Sequence, residues 1–136
     1  MTALLDTGFL LAVLDADDEL HEISVAALQE EAEPLLPDVI LPELAYMVLR
    51  ELGYPALSEF LRSVVRGELT LAQTKEQDLS RTIEILEKYA DSRVDFVDCG
   101  IAAMAERLGV SKVFTVDRRH FGLFRPRHCS TFDIAP

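Results

Sequence analysis

The chain has 136 residues, of which 24 are Asp or Glu and 13 are Lys or Arg, for a formal net charge of −11; hydrophobic residues make up 49% and charged residues 27%. That size suits a single domain spanning residues 1–136, and the apolar share excludes a disordered acidic tail. Two cysteines, Cys99 and Cys129, exclude a disulfide scaffold, and the apolar opening Met1–Leu14 carries Asp6 with no basic leader, so it reads as neither signal peptide nor membrane span and the expected setting is the cytoplasm.

Thr2–Leu5 reads as a short apolar strand ended by Asp6-Thr7-Gly8, and Phe9–Leu14 begins a helix. Asp18 is expected to cap a second helix to about Glu31, with Leu20, Ile23, Ala27 and Leu28 at helical spacing. Glu33–Leu36 is a second strand. Asp38 has the character of an N-cap for the helix that follows, where Leu41, Leu44, Ala45, Val48, Leu49 and Leu52 recur at helical period and Gly53 stands as the stop. Pro42 falls in the first turn, where a missing N–H is tolerated. Pro55–Val65 is another helix with Gly67 behind it, and Leu69–Ala72 a third strand.

Thr74-x-x-Gln77 has the form of a capping box opening a helix to about Tyr89, with Leu79, Ile83 and Leu86 on one face. Asp98–Leu108 is a further helix, stopped by Gly109; Gly100, Ala102, Ala103 and Ala105 keep its sides small enough to lie close against a sheet. Lys112–Thr115 is a fourth strand, and Cys129–Phe132 is expected as a fifth at the edge. No repeat or linker interrupts this order. Short strands alternating with helices predict an α/β fold, a mostly parallel sheet of about five strands covered on both faces.

The charge is unevenly placed. Residues 1–51 hold 12 acids and one base, Arg50, whereas the remainder holds 12 of each. The second half therefore escapes the objection that acidic proteins repel phosphate backbones. Its densest basic stretch, Arg118, Arg119, Arg125 and Arg127 with His120 and His128 between, is open to two readings: a solvated loop or a phosphate contact.

Missing motifs narrow the chemistry. No phosphate loop of the Gly-x-x-x-x-Gly-Lys kind, no Gly-x-Gly-x-x-Gly and no Gly-x-Ser-x-Gly elbow occurs, and the three histidines and two cysteines lack zinc spacing. What remains is a set of carboxylates at strand ends. Asp6 follows the first strand, Glu43 lies one turn into the helix after the second, Asp98 opens the small-sided helix, and Asp117 comes two residues after the fourth strand. Ligands of open parallel sheets bind outside the carboxyl ends of the strands, so four distant acids can converge there.

Two carboxylates about 5 Å apart repel by about 3 kcal/mol at an effective dielectric near 20. A cluster of four must take up protons, open, or bind a cation. Oxygen-only ligands select hard ions, Mg²⁺ or Mn²⁺ before Zn²⁺ or Cu²⁺. Each acid also has a plainer reading. Asp6 and Asp98 can cap helices, Glu43 can favour a helix dipole, and Asp117 can be a turn residue. Asp95 is a fifth candidate or a surface acid, and the cysteines read as small buried side chains.

Leu4-Leu5-Asp6-Thr7-Gly8, Leu41-Pro42-Glu43-Leu44-Ala45-Tyr46, Val97-Asp98-Cys99-Gly100-Ile101-Ala102-Ala103-Met104-Ala105 and Thr115-Val116-Asp117-Arg118-Arg119-His120-Phe121 together resemble the PIN-domain nucleases, in particular the VapC-type toxins of bacterial toxin–antitoxin pairs. The resemblance spans residue 2 to about 132. It implies an α/β/α sandwich and a Mg²⁺- or Mn²⁺-dependent ribonuclease leaving a 5′-phosphate and a 3′-hydroxyl. Asp6 and Asp98 would be principal metal ligands, Glu43 would complete the shell and orient or deprotonate the attacking water, and Asp117 would act as the variable fourth acid. Thr115 and Thr7 would hold a ligand or water in place, with Asp95 beside them. Arg118, Arg119, Arg125 and Arg127 would contact RNA phosphates. The resemblance also implies a cognate antitoxin and a homodimer. Cys99-Gly100 stands where Ala-Ser or Ala-Ala is more usual, a small-for-small change.

Two rival classes stand beside this. A metal-dependent phosphatase needs a second Asp two residues after the nucleophile, where this chain has Gly8, and a receiver-like domain needs a Lys after a late strand, whereas Lys112 precedes one. A catalytically silent PIN-like RNA-binding module would show degraded acids, and all four are present.

Overall fold

A computed structural model describes residues 2–136. Five strands, β1 (Thr2–Leu5), β2 (Glu33–Pro37), β3 (Thr70–Ala72), β4 (Lys112–Phe114) and β5 (Asp133–Ala135), form one sheet in the order β3-β2-β1-β4-β5, with every pair parallel. Among the described residues seven α-helices surround it: α1 (Thr7–Leu14), α2 (His21–Glu30), α3 (Leu41–Glu51), α4 (Tyr54–Val65), α5 (Glu76–Lys88), α6 (Phe96–Leu108) and α7 (Arg118–Leu123). Parallel neighbours need crossovers, and the helices supply them while covering both faces, giving the expected α/β/α sandwich. No helix among the described residues is long and apolar enough to cross a membrane.

The central strand explains itself from its side chains. Ala3, Leu4 and Leu5 are fully buried, as only an apolar run can be when both faces are covered. Leu36, Val113, Phe114, Phe9 and Met104 complete the core around them, with the Phe9 and Phe114 rings 4.9 Å apart. Leu5 pairs with Phe114, and the Asp6 N–H continues the ladder to the Phe114 carbonyl at 2.9 Å. The chain leaves β1 for β2 on one side and returns to β4 on the other. The crevice between β1 and β4 is therefore the topological switch point.

Several local expectations are corrected. Asp38 does not cap a helix: it accepts Thr74 N–H at 3.1 Å and Thr74 Oγ1–H at 2.6 Å, tying the end of β2 to the segment after β3, and a 3₁₀ turn over Asp38–Ile40 precedes α3. With Thr74 so engaged, α5 starts later; Lys75 is its N-cap, and Asp78 accepts the Lys75 N–H at 2.9 Å in place of the Thr74-x-x-Gln77 box. The buried side of α5 is Asp78, Thr82 and Ile85, while Leu79 and Ile83 are exposed. That face is inward because Arg107 of α6 donates Nε to Asp78 at 2.8 Å and Nη2 to the Gln73 carbonyl at 3.0 Å, so the buried charge is met.

Asp18 closes a turn onto Leu20 N–H, and α2 begins at His21. The fifth strand lies at one edge, opposite β3, but at Asp133–Ala135, beyond Cys129–Phe132. The basic stretch after β4 opens with a helix, α7. Phe121 and Phe124 anchor it, their rings 5.7 Å apart, and Phe132 stands 5.9 Å from Phe121.

One glycine is sterically required. A Cβ at Gly8 would stand 2.7 Å from Val116 Cγ2, so only glycine lets the β4–α7 connection lie against the start of α1. Val116 lies between Thr115 and Asp117, so this close approach sits at the edge of the site.

Candidate metal centre

Asp6 is both the end of β1 and the N-cap of α1: its Oδ1 accepts the Thr7 N–H at 2.8 Å. Thr115, fully buried at the end of β4, donates Oγ1–H to Asp6 Oδ2 at 2.7 Å and accepts the Asp117 N–H at 3.0 Å. Only 6% of Asp6 is exposed. Burial raises its pKa above the usual carboxylate value, the bonds from Thr115 and Thr7 pull the other way, and the charges of Glu43 and Asp95 push it up further.

Asp98 is the third residue of α6, whose true cap is Asp95; Asp95 Oδ1 accepts the Asp98 N–H at 2.8 Å. Asp98 is 5% exposed, and burial followed by the neighbouring Asp6 charge pushes its pKa up to about 7. His120 Nδ1 meets Asp98 Oδ2 at 2.8 Å and stands 3.8 Å from Asp117 Oδ2. Asp117 caps α7 by accepting the Arg119 N–H at 3.1 Å. Glu43 is exposed in the first turn of α3, near enough for its charge to act on Asp6.

The acids thus come from the end of β1, the first turn of α3, the start of α6 and the segment after β4. Asp6 and Asp98 are buried, while Glu43 and Asp95 lie exposed and Asp117 half-buried around them. Among the described residues, no Lys or Arg forms an ion pair with any of the five; His120 is the one basic side chain against them. The Thr7 hydroxyl, also buried and adjacent to Asp6, has no protein partner among the described residues. Two buried like charges, an unmatched hydroxyl and a set of oxygen donors fit a hard divalent cation. One donor atom each from Asp95, Asp98 and His120 lies within 4.8 Å of the others. Cys99, beside Asp98, is fully buried and has its thiol pushed up to about 12 by burial and by the Asp98 and Asp95 charges, so it stays in the thiol form.

The four arginines separate. Arg118 and Arg119 are exposed at the start of α7; Arg118 donates to the Pro136 carbonyl, and Arg119 Nη2 approaches His120 Nε2 at 3.5 Å. Arg125 Nη1 donates to the carbonyls of Gly122, Leu123 and Phe124 at 2.8, 3.1 and 3.0 Å, closing the end of α7. Arg127 pairs with Glu84 of α5 at 2.8 Å, and its N–H goes to Glu106 at 2.9 Å. The residue that sequence reasoning passed over is His120, grouped with the basic stretch although it is buried against Asp98. Its place three residues after Asp117, followed by an apolar Phe121, was the available signal.

An all-parallel α/β sandwich with carboxylates gathered at its switch point defines a protein with an acidic, cation-competent centre. A family model described as PIN domain matches residues 3–123, and the chain belongs to that family. Ribonuclease VapC26 of Mycobacterium tuberculosis is 29% identical over 134 residues, covering 98% of this chain and 99% of the relative. In fold, the chain is similar to M. tuberculosis VapC20, a toxin that cleaves the sarcin-ricin loop, with a TM-score of 0.79 and 18% identity over 90% of this chain and 96% of that one. It is also similar to VapBC2 of Rickettsia felis, solved bound to a DNA fragment from its promoter, with a TM-score of 0.72 and 14% identity over the whole of both chains.

Proposed function

We propose that residues 1–136 form one PIN domain that acts as a divalent-metal-dependent endoribonuclease, the toxin of a toxin–antitoxin pair working on RNA in the cytoplasm. The observation that carries this is the buried Asp6–Asp98 carboxyl pair at the switch point, which no Lys or Arg among the described residues balances. The relatives named ribonucleases and toxins supply the substrate class.

In this reading Asp6, Asp98 and Glu43 hold Mg²⁺ or Mn²⁺, with Asp117 and Asp95 at the rim. When bound, the ion supplies Lewis-acid stabilisation of phosphate charge and acidifies water. Hydrolysis adds water across the P–O3′ bond, leaving a 5′-phosphate and a 3′-hydroxyl. Glu43, exposed and without a protein donor among the described residues, would take the water proton, and the departing O3′ ends protonated as the hydroxyl. Thr115 and Thr7 N–H keep Asp6 in one rotamer, which holds the reacting geometry. Arg118 and Arg119, beside Asp117, attract the RNA backbone.

An antitoxin with a basic segment suits the acidic first third of the chain. A second copy suits the apolar face of α3 and α4, where Tyr54 is 77% and Val65 87% exposed. The decisive experiment compares cleavage of total RNA by partner-free wild type and Asp6→Asn with Mg²⁺, Mn²⁺ or chelator. Metal-dependent cleavage absent from the variant is expected. Cleavage that survives chelator, or survives in Asp6→Asn, overturns the reading.

A further inference from the structure

We propose that His120 is a positioning residue for the metal centre: its Nδ1–H holds Oδ2 of Asp98 and so presents Asp98 to the cation in one orientation. The inference rests on the reading of Asp98 as a ligand.

The imidazole is enclosed, 6% exposed, and both contacts of its Nδ1 are carboxylate oxygens, Asp98 Oδ2 at 2.8 Å and Asp117 Oδ2 at 3.8 Å. To hold a cation Asp98 must be ionised, and an ionised carboxylate only accepts, so in the metal-competent state this nitrogen carries the proton. Arg119 Nη2, a donor only, faces Nε2 at 3.5 Å, which the same tautomer accommodates. A nitrogen that spends its proton on Asp98 has no lone pair for a metal. The other nitrogen, Nε2, keeps a lone pair but faces the cationic Arg119 guanidinium at 3.5 Å, so His120 stands behind the ligand rather than in the coordination shell. With Oδ2 engaged by His120, Oδ1 of Asp98 has no protein donor among the described residues and is the oxygen left for the ion.

The platform is rigid. Asp117 caps α7, Phe121 packs edge-on to Phe124 and Phe132, and His120 lies between these anchors. Asp6 is held in the same way by Thr115, so one segment, 115–120, orients both buried acids. Carboxylate ligands fixed by such outer contacts lose about 10- to 100-fold in metal affinity when the contact is removed.

The test measures Mn²⁺ binding by calorimetry, without RNA, for wild type, His120→Ala, His120→Asn and His120→Gln. Asparagine places its amide N–H where Nδ1 was, and glutamine where Nε2 was. The expected result is a loss of about 10- to 100-fold in Ala and Gln with recovery in Asn. Mn²⁺ electron spin-echo spectra of the wild type add a readout that needs no variant to fold, and should show no directly coordinated imidazole nitrogen. Wild-type affinity in folded His120→Ala, rescue by Gln as good as by Asn, failure of folded His120→Asn to recover, or a histidine nitrogen signal overturns the inference. Failure of wild type to bind Mn²⁺ at all would instead remove the metal reading beneath it.

Discussion

Replacing Asp98 by asparagine should stabilise the metal-free protein while abolishing cleavage. In the folded chain the Asp98 pKa is pushed up to about 7, against 3.8 for a free carboxyl, first by burial and then by Asp6. That difference is worth about 4 kcal/mol. Below pH 3.8 the group is neutral in both states and costs nothing. As pH rises from there to about 7, the unfolded chain releases the proton and the folded chain retains it, so stability falls; above that it stays low. Asparagine never ionises, so the gap between variant and wild type should open from near zero at about pH 4 to roughly 3–4 kcal/mol at about pH 8. Urea unfolding in chelator at the two pH values measures it. Mn²⁺ at a thousandfold its Kd should then close that gap, since it stabilises the wild type by about 4.1 kcal/mol. A gap of the same size at both pH values, or an equal gain from Mn²⁺ in the variant, refutes the electrostatic account of this centre.

Gly8→Ala should cost about 1–3 kcal/mol in thermal unfolding because its methyl collides with Val116, and Val116→Ala should restore most of it. Arg107→Ala leaves the Asp78 carboxylate buried without its partner, and denaturant melts should show a loss of about 3–5 kcal/mol. Charge reversal at Arg118 and Arg119 together should weaken RNA binding and flatten its salt dependence by about 1.4 in log–log slope, read by fluorescence anisotropy across a salt series. Arg127→Ala, whose guanidinium pairs with Glu84 on the α5 face, should leave that slope unchanged.

The order of strands and helices was written in the sequence because apolar periodicity, glycine stops and strand-end acids are local properties. Thr2–Leu5 could be read outright, since a run of buried apolar residues between polar neighbours has one use in a parallel sheet. Asp6, Glu43, Asp98 and Asp117 could be nominated for the same reason, each by its position against a strand or helix end. Capping was not local. Asp38 and Thr74 each had a short-range role available and took each other, 36 residues apart, because the β2–β3 pairing brought them within hydrogen-bonding distance. Leu79 and Ile83 satisfied a helical stripe, yet the Asp78–Arg107 pair turned α5 the other way. His120 belonged to a basic run by composition, and only the packing of α7 on Phe121 and Phe124 drove it inward against Asp98. Burial is what tertiary structure decides: it turned two ordinary carboxylates into a strained pair and one surface-seeming histidine into their support. Desolvation depends on what the rest of the chain places around a group, which no window of neighbouring residues contains.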